Sequence, residues 1–445
     1  ANAGPLPLAV SVDEEGGRVS RLTSLIGAAP SARVLAQTKS PDEVYQLALD
    51  RGRQMRGLGI TVDFAPVVDV TDAPDDTVIG DRSFSNDPAV VTAYAGAYAR
   101  GLRDAGLLKL SIPRAYGGEE RPWPEIYALV RRLAAVDSSL AHVFAFHHLQ
   151  VATVLIYGNV EQQERLLRQT IERRLWWGNG MNPLDRRLLA RQTADGLLLD
   201  GVKSFCSGIV GSQLMTLSAV LNDAAQPLLA VVPVEQPGVG ILDDWDPIGQ
   251  RQTDSNSVSF EQVPLAERDV LRAPEATPTL FHTLRNCVAQ LVLVNLYLGI
   301  AEGALAEARD YAQTQARPWL TSAAQHATDD LFTQNRFGEM HVQIAAARAL
   351  ADRAAEQVAR AFARGPALTA AERAEVAVAV AEAKVLAHRA GLFASQELFE
   401  VVGARGTRAA LGYDRYWRNV RTHTLHDPID YKLNTLGRWA LKGEA

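Results

Sequence analysis

Cysteine is almost absent from this 445-residue chain: Cys206 and Cys287 are the two, far apart. A disulfide framework is excluded by count, and a reduced, cytoplasmic setting is the expectation. Long basic runs are also missing. Lys and Arg number 45 against 51 Asp and Glu, a net charge of −6, which gives nucleic-acid binding no support. A charge-free apolar run of about 18 residues is not found, so no membrane span is expected. "CVAQLVLVNLYLGIAEGALAEA" comes nearest, and it runs into amphipathic, Ala-rich sequence as a buried core helix would. No repeat of solenoid period occurs. The chain opens "ANAGPLPLAV", without Met or a charged leader, and reads as cut from something longer. What is present is an ordinary soluble composition, 47% apolar and 22% charged, with length for two or three domains.

Residues 1–107 alternate strand and helix. "LPLAVSVD" and "ITVDFAPVVDV" are apolar runs of the kind that a doubly covered parallel sheet needs. Between them "SPDEVYQLALDRGRQMRGLG" predicts a helix, with Ser40 as N-cap, Pro41 in its first turn and Gly57 or Gly59 at its end. "SNDPAVVTAYAGAYARGLRDAG" predicts the next. This order implies an α/β barrel or an open α/β sheet. After Leu107 the pattern changes. Residues 108–174 read as helical, 175–275 as a small antiparallel sheet, and 276–445 as long Ala-rich helices suited to a four-helix bundle. The two patterns meet within "GAYARGLRDAGLLKLSIPRAYGGEE".

"SVDEEGGRVSRL" sets acids at a strand end, then two glycines and an arginine. Asp13, Arg18 and Arg82 could grip a polar ligand such as a sugar. The plainer alternative has Asp13 capping a helix and Gly16-Gly17 making a tight turn. With "LGITVDFAPVVDV" and "VIGDRSFSNDP", this stretch closely resembles the β-N-acetylhexosaminidases of glycoside hydrolase family 3. The resemblance implies a partial (βα) barrel fragment in which Asp13 and Arg82 would contact N-acetylglucosamine. The family's Lys-His-Phe-Pro-Gly-His-Gly element, its Asp nucleophile and its acid/base His do not follow. Retaining hydrolysis normally needs both a nucleophile and a proton donor, so an inactive remnant is expected.

"IPRAYGG", the helix–sheet–helix order and "DPIGQRQTDSNSVSFEQVPL" resemble the acyl-CoA dehydrogenase fold, with 108–174 as a truncated N-terminal helical domain. Dehydrogenases of that fold use a Glu near the C-terminus. The comparable stretch here, "RNVRTHTLHDPIDYK", has His423 and His426 instead, which weakens a dehydrogenase reading. "WGNGMNP", "KSFCSG" and "RTHTLHDP" together resemble flavin-dependent monooxygenases of the dibenzothiophene monooxygenase type. That resemblance implies oxygenation of a small organosulfur or related apolar compound through a C4a-hydroperoxyflavin. The cofactor would be reduced FMN from a separate flavin reductase, with FAD as the alternative. It implies His426 near the flavin, supported by His423. Asn182 and Ser207 would lie at the ring, Phe205 in the pocket wall, and His147 or His148 toward substrate. Arg317 and Arg405 would hold the phosphate, where planar guanidinium groups suit it. A homo-oligomer, tetramer or dimer, is implied too, since one such arginine comes from a neighbouring subunit. Each residue has a plainer alternative: a core histidine, a turn asparagine before Pro183, a strand-end serine. For the whole chain, a sugar-binding module or a partly folded hybrid without activity stand as the alternatives. No metal site is expected.

Overall fold

The computed structural model describes residues 10–12, 14–58, 60–63, 65–77, 79–104, 107–194, 196–221, 227–272 and 278–444. The chain divides into two compact units, Ala1–Leu110 and Ser111–Ala445.

In the first unit, β1 (Val10–Val12) runs parallel to β2 (Ile60–Asp63). Between them α1 (Pro41–Gly57) starts on a reciprocal capping box of Ser40 and Glu43, with Pro41 in its first turn. The second apolar run is strand only over its first four residues. Pro66 has no N–H to continue a ladder, and Val68 and Val70 are exposed. Helix α2 (Pro88–Asp104) packs on α1. Gly101 permits the approach, since a Cβ there would lie 2.5 Å from the Tyr45 carbonyl oxygen. The core joins Leu35, Val44, Ala48, Met55, Phe84, Val91 and Tyr98.

The second unit begins with the "IPRAYGG" loop. Ile112 is fully buried against Val151, Val154, Leu166 and Trp177. Three helices follow: α3 (Trp123–Val136), α4 (Ser138–Tyr157) and α5 (Val160–Arg173). Helix α4 carries no Asp, Glu, Lys or Arg across 20 residues. It and the segment Leu280–Thr314 are long and apolar enough to cross a membrane, contrary to the expectation from sequence, yet 83% and 78% of their apolar windows are buried within the protein. Helices apolar all round are what a protein core also demands.

Among the described residues, seven strands form the middle sheet: β3 (Trp177–Gly180), β4 (Leu189–Thr193), β5 (Gly196–Lys203), β6 (Leu214–Leu221), β7 (Leu228–Pro233), β8 (Val239–Ile241) and β9 (Val258–Leu265). The sheet is mixed rather than purely antiparallel. Strands β3 and β4 both pair parallel with β6, at Leu214–Leu217 and at Val220–Leu221 respectively. They are two ends of one strand line, interrupted by the excursion 181–188, so both share one direction. The helical C-terminal region comprises α6 (Leu284–Thr314), α7 (Leu331–Arg364), α8 (Ala370–Val402), α9 (Asp414–Thr424) and α10 (Ile429–Lys442). Helix α8 packs on α6, α7, α9 and α10.

Candidate active site

The strand interruption is held by a buried lysine. Lys203 Nζ donates to the carbonyls of Asn182 and Asp185, each at 2.6 Å. Burial lowers its pKa to about 8, against the attraction of Asp185. Asn182 thus serves the turn through its backbone. Buried Asn179, three residues earlier, accepts from Gln150 Nε2 at 3.2 Å, and its N–H donates to the Ser207 carbonyl at 3.1 Å.

After β5 the chain turns sharply. Phe205 takes a left-handed backbone with φ of 61°, a conformation that costs a bulky residue energy and marks a position of interest. Its ring is 63% exposed and meets Trp245 edge to face at 6.0 Å. Ser207 is buried behind it. A hydroxyl chain runs Ser207 Oγ, Ser255 Oγ, Thr253 Oγ1, each link 2.8 Å. Cys206 between them is fully buried, and burial pushes its thiol up to about 12. It is a packing residue, not a nucleophile.

The histidines come from α4 and α9. Asp137 caps α4, accepting from the Ser139 and Leu140 N–H groups. In the next turn His142 stacks on Phe146, with centroids 3.9 Å apart, and its Nδ1 lies 3.1 Å from His423 Nε2. Burial, with His426 nearby, lowers His142 to about 3. His423 is lowered by burial, then by His142, His426 and Lys384. Both rings are therefore neutral at ordinary pH, one donating and one accepting. His142 Nε2 is buried without a hydrogen-bond partner. The His423 carbonyl accepts from Tyr297 Oη at 2.8 Å and from the His426 N–H at 3.1 Å. His426 itself opens to solvent at the end of this turn.

Gln250 ties the loop to both helices. It is 1% exposed and left-handed at φ of 57°. Its Nε2 donates to Ser138 Oγ on α4 at 2.9 Å, and its N–H to Asn419 Oδ1 on α9 at 2.7 Å. Its carbonyl accepts from Trp245 Nε1 at 3.0 Å and Thr253 Oγ1 at 2.9 Å. The hydroxyl chain, the aromatic wall and the neutral imidazoles are thus parts of one braced assembly. A flavin fits these groups: an aromatic edge, hydroxyl donors and a buried imidazole nitrogen without a partner are what its polar ring edge would use.

Apart from Asn182, the sequence-derived residues of the second unit fall into three sets. His423, His426, Ser207 and Phe205 belong to this assembly. His147 and His148 lie farther along α4. His147 stacks on Trp176 at 5.3 Å, and His148 Nδ1 pairs with Ser111 Oγ at 2.7 Å. Arg317 and Arg405 line a different cleft of about 1080 Å³, beside Trp319 and Phe332. Among the described residues, neither has an acidic partner in this chain, whereas their neighbour Arg336 pairs with Glu397 and Glu400. Two free guanidinium groups in one cleft suit a phosphate. In the first unit, Arg82 is held by Glu15 through two 2.8 Å bonds, and Arg18 by Asp81. Asp13 lies outside the described residues. No cluster of metal-ligating residues occurs among the described residues. Sequence reasoning passed over His142, Asn179 and Gln250. His142 stood in "LAHVFAFHHLQ", but only contact with α9 separates it from its neighbours.

Comparison with known proteins gives the same two-part division. Residues 1–112 match the glycosyl hydrolase family 3 N-terminal domain; residues 92–174 and 291–431 match the acyl-CoA dehydrogenase N-terminal and C-terminal domains. "Probable FMNH2-dependent monooxygenase SfnC" of Pseudomonas putida is 46% identical over 341 residues, 76% of this chain and 86% of its own. The methanesulfinate monooxygenase MsuC of Pseudomonas fluorescens superposes with a TM-score of 0.76 at 45% identity, covering 78% of this chain and 90% of its own. FMN-bound TdsC of Paenibacillus sp. A11-2, a dibenzothiophene monooxygenase, gives 0.75 at 30% identity, covering 91% and 98%. "Beta-hexosaminidase LpqI" of Mycobacterium tuberculosis is 80% identical over 109 residues, 24% of this chain, and this stretch spans 28% of LpqI. Beyond its family 3 hydrolase N-terminal segment, the chain belongs to the FMNH2-dependent monooxygenases built on the acyl-CoA dehydrogenase fold.

Proposed function

We propose that this chain is a reduced-FMN-dependent monooxygenase acting on a small organosulfur compound. The observation that carries the reading is the His142–His423 pair braced through Gln250 against the Ser207 turn. When bound, reduced flavin supplies the electrons that activate O₂. The chain's own groups bind, orient and shield. Ser207, through Ser255 and Thr253, presents an oriented hydroxyl. Exposed Phe205 and half-buried Trp245 present an apolar edge that a bound ring would cover from water. His142 and His423 hold a neutral acceptor and donor in fixed register. His426, lowered by desolvation among its protein neighbours and then by Lys384 against the pull of Asp427, keeps part of its surface in water and can take or return a proton there. Arg317 and Arg405 hold the phosphate, and the second copy in a homo-oligomer completes that cleft. A separate flavin reductase delivers the cofactor, in a cytoplasmic setting.

An acyl-CoA dehydrogenase reading is less well supported, because "RTHTLHDP" offers imidazoles where a carboxylate base is needed. The C-terminal helices read as a four-helix bundle, and the first unit as a partial (βα) barrel fragment. We read that fragment as inactive toward N-acetylglucosaminides. The test supplies the purified chain with FMN, a flavin reductase, NADH and dibenzothiophene or an alkyl sulfinate. Oxygenated product that depends on FMN supports the reading; retained flavin with no product from either substrate counts against it.

A further inference from the structure

The second unit buries a charge that the site description leaves unused. Lys384, on α8, is fully buried. Among the described residues no carboxylate forms an ion pair with it. Its Nζ donates to Tyr297 Oη at 3.2 Å and lies 4.9 Å from the centre of the Tyr297 ring. Tyr297, on α6, in turn donates to the His423 carbonyl at 2.8 Å. That same carbonyl accepts the His426 N–H, so the turn carrying both imidazoles is pinned from below by the Lys384–Tyr297 pair. A buried ammonium with only a phenol oxygen and a ring face for partners is costly. Hydrophobic replacement would remove that cost, so packing alone does not account for the lysine.

We propose that Lys384, acting through Tyr297, is the positioning residue of the His423–His426 turn and that its ammonium sets the proton affinity of both imidazoles. The inference rests on the monooxygenase reading for its purpose but not for its geometry. The groups facing Lys384 can be named from every side. Tyr297 comes from α6. His423 comes from α9, with His426 on the turn after it. Asp427 and Lys432 flank the start of α10 and pair with each other at 3.3 Å. His388 lies one turn along α8. Asp427 favours the ammonium and Lys432 opposes it, while burial outweighs both and lowers Lys384 to about 7. The ammonium is charged where histidines titrate, and there it disfavours a second positive charge on His423 or His426.

The test is a histidine titration by NMR on the full chain, with His426 assigned through His426→Gln. In Lys384→Met the His426 midpoint moves up by roughly half to one pH unit, the size of a partly screened charge contact. In Lys384→Arg it stays where it is in the native chain. A folded Lys384→Met with an unmoved His426 curve overturns the proposal. Should that variant not fold, the native chain labelled at lysine decides. A step in the His426 signal that follows the Lys384 midpoint supports it; a His426 signal that stays flat while Lys384 titrates overturns it. The pH profile of kcat/KM then carries the same shift in its acid limb. Because the NMR arm needs no turnover, failure of the oxygenase assay leaves this proposal separately decidable.

Discussion

Single residues carry the chemistry, and their charges follow from burial. His142 has its pKa lowered to about 3 from an ordinary 6.5, and Lys384 to about 7 from an ordinary 10.5. In both cases the unfolded chain binds the proton that the folded chain has shed. Stability therefore rises with pH across both windows, from about 3 to 6.5 and from about 7 to 10.5. Urea midpoints at pH 5, 7 and 9 should climb in that order, and the climb from 7 to 9 should shrink in Lys384→Met. His423→Ala should abolish oxygenation while leaving FMN binding close to native, because the imidazole braces the site rather than the phosphate. Arg405→Ala should do the opposite. Loss of one charge-assisted phosphate contact weakens FMN binding by roughly 10- to 100-fold, measurable by quenching of flavin fluorescence. At this scale the motifs "KSFCSG" and "RTHTLHDP" named Ser207, His423 and His426, and the fold brings these residues to the elements that Gln250 ties together. The sequence was silent on His142 and Gln250, whose importance lies in partners 281 and 169 positions away. It named Asn182 and did not consider Asn179, which is the buried one of the two, because spacing alone carries no burial.

Elements position those residues, and one of them is unusual. The strand line of β3 and β4 breaks at 181–188, and Lys203 fills the break from β5. Lys203→Met should leave two carbonyls without their donor. The expected cost is about 2–4 kcal/mol, larger than an exposed substitution would give, and a chemical denaturation curve checks it. Helix α1 was legible from local signals alone, since Ser40, Pro41 and Glu43 are adjacent in sequence and act on one another. The parallel pairing of β3 and β4 with β6 was not. Alternation of apolar residues marks a strand but carries no direction, and direction was set by the excursion 181–188. The apolar run through Val70 was likewise overread, because Pro66 ends the ladder early.

At the scale of the molecule there are two compact units, each with its own buried core. The first is built around Glu14, which is fully buried and accepts from Ser20, the Leu22 N–H and Arg51. Burial alone would raise its pKa, but these bonds together hold it below the usual carboxylate value. Arg51→Ala would strand that charge at a cost of about 3–5 kcal/mol. In calorimetry this should lower one transition and leave the transition of the second unit in place; a single transition that moves as a whole would show the units to be thermally coupled. Nitrophenyl N-acetylglucosaminide should release no nitrophenol with the native chain.

By itself the sequence determined the local and compositional facts: helix starts, apolar runs, the change of pattern near residue 107, and two sets of family motifs meeting there. These depend on neighbours within a few positions, where capping, periodicity and turn chemistry act. Only the tertiary structure decided which side chains share a site. It paired His142 with His423, set His147 on Trp176 and His148 on Ser111, set Arg317 and Arg405 in another cleft, and enclosed Lys384 beneath the histidine turn. The reason is physical. Burial and hydrogen bonding depend on what lies across the fold, and the distance along the chain between such partners carries no trace in local pattern.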